Sequence, residues 1–413
     1  MICSYIKKFS LRYILLCSLI SHTSHAIIID DTLAKEIEHC LSTNDAAVIC
    51  TYPQNWRDSN EPLTIAYNIT WNTPAILQLM SKEDIIFNKD VFIRSEGAGS
   101  LSLKAGIENK KNQDYRNVAQ GKVSFQDELT PHIYINNGGV NIYYNPDKGK
   151  EEHKYWNALS YFYEQQISFA DKKNIETYMF VNHVRDIQDI RKALYANYAL
   201  SQDVDASETK SWDSGKGFRP LKADRGENGQ PFSGDFDGNS YMISNLYINR
   251  PTEDKVGLFG MAGKSRFKQM LIKNLTLKNF NILGNHYVGA LAGWATDAVI
   301  HNVIVSAPSF VKGKEVVGGM VGTGSGISLH NVFVHQSSVI EATTYRGLLF
   351  GTIDASLFEV DKSYYSNYSD FFESIQVANN GTYYQNPLGL FTKLVTFCVP
   401  NKKNLCLKIS DDC

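Results

Sequence analysis

The chain has 413 residues, which is enough to build a large core or two packed segments. Its 41 basic and 43 acidic residues leave a formal net charge of −2, which excludes a general attraction to nucleic acid or to anionic membranes. Tyr and Gly are abundant (23 and 29 residues) and Pro is sparse (11), a composition that suits an extended β protein without identifying a ligand.

Residues 1–26 are predicted to be a secretory signal peptide. Basic residues precede an apolar run at 13–20 that is too short to span a bilayer, and Ser24-His25-Ala26 fits a small-x-small cleavage site. An uncleaved anchor is the alternative. No later segment is long and apolar enough to be a transmembrane helix. The sequence therefore predicts an exported protein, secreted or attached to the cell surface, with a periplasmic location as a further alternative.

Residues 27–60 are predicted to form an N-terminal cap. Asp31-Thr32 precedes apolar residues with helical spacing, which indicates a short capped helix with one apolar face. Residues 46–51 then have the composition of a first strand. A helix that leads into a strand at this end would cover an exposed strand edge.

Residues 61–221 are predicted to form an irregular β-helix with a connector. Short segments of alternating apolar and polar residues are separated by turn signals such as Asn88-Lys89-Asp90. Polar stretches at 109–116 and 147–154 are predicted to be loops. The connector is one helix, predicted over Asp186 to Tyr195. The predicted strands are 63–65, 75–79, 84–88, 91–93, 100–103, 132–136 and 140–144.

Residues 222–364 carry a repeat with two independent markers. The first marker is a glycine phrase whose closing glycines lie 33, 29 and 29 residues apart, and the second is an Ile/Leu-x-Asn phrase whose asparagines lie 29, 28 and 29 residues apart. A period of this size indicates a solenoid, propeller or array. The repeat glycines are Gly257, Gly260, Gly289, Gly293, Gly318, Gly322, Gly347 and Gly351. The asparagines are Asn245, Asn274, Asn302 and Asn331.

Each repeat is predicted to make one coil of three short strands, because its apolar runs are short and rich in β-branched residues and leucine. The glycines suit corners where φ is positive or where backbones approach closely. The asparagines are predicted to share one corner of successive coils and to face inward, as a ladder of amides that bond to one another. Exposed turn asparagines are the alternative.

The phrase at 232–239, followed by Ile243-Ser244-Asn245-Leu246 and Gly257-Leu258-Phe259-Gly260, resembles the GLUG repeat of large bacterial surface proteins similar to filamentous haemagglutinin. The resemblance covers roughly 232–351. It implies an all-β fold, a right-handed parallel β-helix or β-solenoid, and an adhesin-like role at a bacterial surface. It implies no catalytic residues.

Five cysteines remain after the predicted cleavage, and they cluster at the two ends of the chain. In an exported protein this pattern indicates local disulfides. Cys40 and Cys50 are the predicted first pair. Two of Cys398, Cys406 and Cys413 could form a second, and which two is left open. Residues 365–413 are predicted to be a C-terminal cap.

Asp203, Asp205, Asp235 and Asp237 are the best candidate acids for chemistry, because β-helix enzymes that cleave polysaccharides use clustered carboxylates. Turn capping is the favoured interpretation, because short acidic side chains bond their own backbone in turns. His286, His301 and His330, in or near the repeats, are predicted to be exposed side chains and not ligands. No catalytic, cofactor-binding or metal-binding residue is therefore predicted, and no cofactor.

The predicted function is that of an exported, non-enzymatic, adhesin-like protein that presents a solenoid surface to host or envelope ligands. Its partner would be a protein or glycan at a cell surface, and its identity is open. Two alternatives belong to other classes: a β-helix polysaccharide lyase or hydrolase, and a structural spacer of a cell-envelope assembly.

Overall fold

The structure of the protein is a computed structural model. It describes residues 27–43, 45–46, 48–54, 56–107, 121–126, 132–145, 175–223, 229–263, 269–306, 309–335, 339–347, 349–354, 359–361, 377–379, 382–384, 395–398 and 406–409. The predicted signal peptide, the loops predicted at 109–116 and 147–154, and Cys413 lie outside these residues.

The described part consists mainly of short strands. In the first half they are β1 Ile27–Ile29, β2 Ile49–Tyr52, β3 Leu63–Ile65, β4 Ile69–Trp71, β5 Ile76–Ser81, β6 Ile85–Phe87, β7 Ile93–Ser95, β8 Ser100–Ala105, β9 Val123–Phe125, β10 Ile133–Ile135, β11 Val140–Tyr144, β12 Ile175–Val181, β13 Tyr198–Leu200 and β14 Val204–Asp205.

The strands of the second half are β15 Phe236–Asp237, β16 Met242–Ser244, β17 Tyr247–Asn249, β18 Phe259–Gly263, β19 Met270–Lys278, β20 Asn281–Leu283, β21 Val288–Gly289, β22 Ala292–Thr296, β23 Ala298–Ser306, β24 Phe310–Lys312, β25 Val316–Gly318, β26 Val321–Ser325, β27 Ser328–His330, β28 Phe333–Val334, β29 Val339–Glu341, β30 Tyr345–Gly347, β31 Phe350–Asp354, β32 Glu359–Asp361, β33 Val377–Asn379, β34 Thr382–Tyr384, β35 Val395–Cys398 and β36 Cys406–Ile409.

Helices are short. They are the α-helices α1 (Asp31–Cys40) and α2 (Val184–Asp189) and the 3₁₀ segments Trp56–Asp58, Ile190–Lys192 and Ser207–Gly215. The predicted connector helix is α2 with its 3₁₀ extension. It begins two residues earlier than predicted, because His183 caps its first turn.

One sheet, called here the long sheet, runs through the molecule in the order β2-β5-β8-β11-β12-β13-β15-β19-β23-β27-β32. Its strands are parallel, and each pairs with the equivalent strand of the coils before and after it. In the first half, β1-β3-β6-β9 and β4-β7-β10 form the other two sides of the coils. The prediction of an all-β parallel β-helix is confirmed. Its right-handed winding and the domain boundaries stay predictions.

The core is a column of apolar side chains stacked in register. Leu79, Leu103 and Ile142 lie beside one another on neighbouring strands and are fully buried. Ile272 and Ile300 repeat the arrangement in later coils. Each such side chain contributes roughly 1.5–3 kcal/mol on burial, and it is buried only if the neighbouring coil is present.

The N-terminal cap is built as a helix and a disulfide over the first coil. Asp30, one residue before the predicted cap, accepts the Leu33 N–H at the start of α1. The predicted pair Cys40–Cys50 is a disulfide and joins the end of α1 to β2. The carboxylate of Glu38 accepts the backbone N–H of Thr70, on the edge strand β4, at 2.8 Å. The helix therefore closes an edge that would otherwise offer an open donor.

Two predictions for this region need correction. The first strand of the structure is β1, which precedes α1, because Ile27–Ile29 pairs with Leu63–Ile65 of the next coil. The strand predicted at 46–51 begins later, at Ile49.

At the C-terminal end, β35 and β36 are antiparallel, and their register places Cys398 opposite Cys406.

Coils in the repeat have four strands rather than the three predicted. The coil from Met270 to Thr296 contains β19, β20, β21 and β22, and the next coil repeats it with β23 to β26. The difference arises because the glycine phrase forms two strands, β21 and β22, that belong to separate sheets.

All the repeat glycines except Gly347 are shown to lie where other atoms approach closely, and the repeat glycines are not among the residues with positive φ. A Cβ on Gly318 would lie 1.9 Å from the carbonyl oxygen of Val321, and one on Gly322 would lie 2.6 Å from that of Gly293. Close approach, and not positive φ, is therefore what these corners require.

Three of the four predicted ladder asparagines form a row. Asn274, Asn302 and Asn331 have φ values of 54°, 54° and 52°. Asn331 donates from Nδ2 to Oδ1 of Asn302 (3.0 Å), and Asn302 donates in the same way to Asn274 (3.1 Å). Asn274 in turn donates to the carboxylate of Asp237 at 3.2 Å. An amide can extend such a row because it both donates and accepts.

The prediction for Asn245 is wrong. It lies at a different corner, where it accepts from Asn279 at 2.6 Å and donates to Asp205 at 2.8 Å. The inward orientation is wrong as well, since Asn274 and Asn302 are half-buried and Asn331 is exposed. The row follows the outside of the coils and not their core.

The row can be tested with glycine variants, because glycine keeps the left-handed backbone and removes the amide. Asn302→Gly loses two amide bonds and Asn331→Gly loses one, while the residue change and the φ value are nearly the same. We expect Asn302→Gly to unfold with a free energy lower than that of Asn331→Gly by about 0.5–1.5 kcal/mol. Urea unfolding of both variants measures the difference, and equal values would contradict the cooperative row.

Candidate functional site

The structure places two of the predicted acids on the outer face of the long sheet. Asp235 and Asp237 flank Phe236, whose ring is in the core, so both carboxylates project away from the core. Asp237 pairs in register with Ala199 on one side and Lys273 on the other. Each aspartate is only 3% exposed.

The carboxylate of Asp237 is fully occupied by protein donors. Its Oδ2 accepts the hydroxyl of Tyr143 at 2.8 Å and lies 3.4 Å from Nζ of Lys273. Its Oδ1 accepts the backbone N–H of Asn239 at 2.8 Å and the amide of Asn274. The bond to Asn239 is the turn capping that the sequence predicts.

Lys104 lies in the same cluster and is 8% exposed. Its ammonium donates to Oδ1 of Asn239 and lies 5.1 Å from the ring centroid of Tyr143. Burial lowers the pKa of Lys104 to about 8, although the negative charge of Asp237 acts in the opposite direction. Burial also raises the pKa of the Tyr143 hydroxyl well above its usual value. The cluster is a buried network of polar groups on the outer face of the long sheet.

Asp203 and Asp205 lie elsewhere and bond to backbone and amide groups. Asp203 accepts the N–H of Met242 at 2.9 Å, and Asp205 accepts the N–H of Ser207 at 3.0 Å. The structure therefore does not bring the four acids together in an open groove.

His286, His301 and His330 are predicted to be exposed, but the structure shows them half-buried. His301 and His330 pair in register, with ring centroids 6.0 Å apart. His286 forms an ion pair with Glu315 when protonated, at 2.9 Å. Within the described residues, no group of three or more His, Cys, Asp or Glu side chains could hold a metal ion.

A cleft lies on the surface of the first two repeat coils, with a volume of about 570 Å³. Sites for small molecules usually have volumes of roughly 300–1,000 Å³. The cleft is lined by Lys222, Gly229, Thr252, Glu253, Asp254, Lys255, Met261, His286, Tyr287 and Trp294.

Two aromatic rings form one wall of the cleft. The ring centroids of Tyr287 and Trp294 are 5.4 Å apart, with the ring planes inclined by 56°. Nζ of Lys255 lies 4.7 Å from the centroid of Trp294. Both aromatic residues are half-buried, so part of each ring faces solvent. The wall therefore joins an apolar surface to a positive charge.

Charged groups also line the cleft. Nζ of Lys222 donates to the backbone oxygen of Asp254 at 2.5 Å. The carboxylate of Asp254 accepts two protein donors on Oδ1, the amide of Asn285 and the N–H of His286. Glu253 forms an ion pair with Arg250 at 2.7 Å.

The backbone of the cleft is strained at two positions. Lys255 has a φ of 59° and Tyr287 a φ of 57°, in the left-handed region that is rare for bulky residues. The residues at the same place in the next two coils, Val316 and Tyr345, do not adopt this conformation. Such strain concentrates at ligand sites in proteins.

Two repeat glycines make room for the cleft residues. A Cβ on Gly260 would lie 2.7 Å from Cδ of Lys222, and one on Gly293 would lie 2.4 Å from the backbone of Lys255. The close packing at these glycines therefore also sets the positions of both lysines.

The cleft is not among the features predicted from the sequence, although the repeat contains a signal for it. The residue after each closing glycine is Met261, Trp294, Thr323 or Thr352, and the four pair in register. Trp294 is the one aromatic residue among the four. A comparison of non-consensus positions at one place in the repeat would have identified it.

The chain is similar to parts of two longer curated proteins. It is 38% identical over 146 residues to Halomucin of Haloquadratum walsbyi, a match that covers 34% of this chain and 2% of that protein. It is 34% identical over 112 residues to a protein described as a Gly-rich membrane protein of Evansella cellulosilytica, covering 26% of this chain and 12% of that protein. The chain thus spans a small part of each relative.

No family model matches the chain, and no solved structure matches it. The resemblance to the GLUG repeat therefore rests on the motif residues alone. Among the helices that the structure describes, none has the length and apolar character needed to cross a bilayer.

The buried charge of Lys104 predicts a pH dependence of stability. Its pKa of about 8 in the folded state lies below the reference value of 10.5, so between these values the unfolded chain binds more protons. The contribution of Lys104 to the free energy of unfolding is fully present above a pH equal to the reference pKa of 10.5. It is lost as the pH falls to about 8. We expect the unfolding free energy of the parent, relative to Lys104→Met, to rise by up to about 3 kcal/mol across this window.

Urea unfolding at a series of pH values measures this difference. Lys278→Met is the matched control, because Lys278 is an exposed lysine on the same sheet. The parent and Lys278→Met should differ by the same amount throughout. A constant difference between the parent and Lys104→Met would show that the ammonium is not desolvated.

Proposed function

We propose that this chain is an exported, non-enzymatic binding protein that presents a β-solenoid surface to ligands at a cell surface. The cleft on the first two repeat coils is the observation that carries the proposal. It combines a preformed shape with aromatic and charged groups, which is the composition of a recognition site. It would bind its ligand without a large rearrangement, because it is built on packed strands.

Similarity supports the surface location. One relative is described as a membrane protein, and the motif resemblance is to adhesin-like proteins of bacterial surfaces. The predicted signal peptide agrees with export. A solenoid with a disulfide at its N-terminal cap is also suited to an oxidising compartment outside the cytoplasm.

The environment of the acids favours binding over catalysis. A pair of carboxylates that hydrolyses a glycan must reach its substrate, with a separation of roughly 5–10 Å. Asp235 and Asp237 are almost fully buried, and the oxygens of Asp237 are occupied by protein donors. In the cleft, Glu253 is paired with Arg250, and Asp254 bonds to Asn285 and His286.

The test is a binding screen with the labelled full-length protein on glycan arrays and on whole cells. Trp294→Ala is the cleft variant, and Tyr195→Ala is the matched control, because Tyr195 is an aromatic residue with 57% exposure that does not line the cleft. We expect the parent and the control to bind and Trp294→Ala to lose at least about tenfold in affinity.

A reducing-sugar assay runs beside the screen on every glycan. Release of reducing ends by the parent would contradict the non-enzymatic proposal and favour the glycan-cleaving alternative. Absence of binding to all glycans and cells would contradict the binding role and favour a structural spacer. Circular dichroism of each variant confirms that the β fold is retained.

A further inference from the structure

Lys222 is a positive charge that the cleft leaves only partly satisfied. An ammonium has three donors, and among the described residues Lys222 uses one of them, on the backbone oxygen of Asp254. Burial lowers its pKa, and the nearby carboxylates of Glu253 and Asp254 do not offset that effect. An anion in the cleft would offset the lost hydration and engage the remaining donors.

A second positive charge lies beside the aromatic wall. Lys255 places its Nζ 4.7 Å from the ring centroid of Trp294. A negative group that meets both Lys222 and Lys255 would therefore lie at the edge of the Trp294 face. The ligand must then present an anionic group and an apolar face close together.

The same cleft offers acceptors for hydroxyl groups. Among the described residues, both protein donors to Asp254 reach its Oδ1, which leaves Oδ2 able to accept from a ligand. Thr252, an exposed residue, adds a hydroxyl to the lining of the cleft. A ligand that is only anionic would meet Asp254 with repulsion, whereas one that also carries hydroxyls would form hydrogen bonds with it.

We propose that the cleft binds an acidic sugar, a pyranose that carries a carboxylate, as part of a surface glycan. The carboxylate lies between Lys222 and Lys255, the apolar face of the ring lies against Trp294, and a ring hydroxyl donates to Asp254. This proposal rests on the binding role proposed above and specifies its ligand. The strained backbone at Lys255 and Tyr287 holds the ammonium and the aromatic wall in place for this ligand.

Other ligand classes match less of the cleft. A neutral sugar would use Trp294 and Asp254 but would supply no anion to Lys222. An acidic peptide would meet the lysines but has no hydroxyl-bearing ring to place between Trp294 and Asp254. Free acetate carries the negative charge but has neither an apolar ring face nor hydroxyl groups. These three classes form the comparison arms of the test.

The experiment is calorimetric titration of the full-length protein with oligosaccharides of glucuronate and galacturonate. The comparison arms are glucose and galactose oligosaccharides, a polyglutamate peptide and acetate. We expect the acidic sugars to bind at least about tenfold more tightly than the neutral ones, with affinity that falls as salt is added.

Variants assign the contacts. Lys222→Met should weaken binding of the acidic sugars by about tenfold and leave that of the neutral sugars unchanged, and Lys222→Arg should restore part of the loss. Lys278→Met, an exposed lysine outside the cleft, should behave as the parent. The comparison of ligands on the parent protein remains decisive if a variant does not fold.

Three results would overturn the proposal. Equal binding of neutral and acidic sugars would show that the carboxylate of the sugar does not contribute to recognition. Binding of polyglutamate alone would show that the cleft binds a peptide. Binding to cells or glycans that is unchanged in Lys222→Met would locate the site elsewhere. In all three cases the protein would still be a binding protein. Only the absence of binding to any glycan or cell would contradict the proposed function itself.

Discussion

In-register pairing between successive coils is the constraint on which the structure depends. Because strands of neighbouring coils are parallel and bonded residue to residue, a side chain at any position has its equivalents directly above and below. Apolar residues at such a position build the core, and amides build the external row of Asn274, Asn302 and Asn331. A charged side chain at such a position lies beside the side chain at the equivalent position of the neighbouring coil.

The same constraint explains the buried charges of the long sheet. Asp237 lies between Ala199 and Lys273 in the register, and Tyr143 reaches it from an earlier coil. The network is satisfied by residues that are distant in sequence and come together only when the coils stack. It therefore stabilises one register of stacking over others, since a shift would leave buried polar groups without partners.

The sequence predicted the β-helix, the capping helix and the first disulfide, because each leaves a local or strictly periodic signal. It did not predict the place of Asn245. The first repeat coil has a turn between β15 and β16, and both strands pair with the single strand β19. The phrase around Asn245 consequently aligns with residues after Asn274. Similarity of a short phrase shows a shared local conformation, whereas spatial equivalence depends on every insertion between the phrases.

The cleft could not be predicted from the period of the repeat, because its distinctive residues depart from the repeat pattern. Lys255 and Tyr287 have the left-handed backbone, and Val316 and Tyr345 at the same place do not. Within the described residues the scaffold is thus repetitive while the cleft occurs on one pair of coils. Within that part of the chain, the proposed binding site therefore has a valency of one, whatever the number of coils. Any gain in avidity would have to come from several chains displayed together on one surface, at a spacing set by their attachment and not by the period of the solenoid.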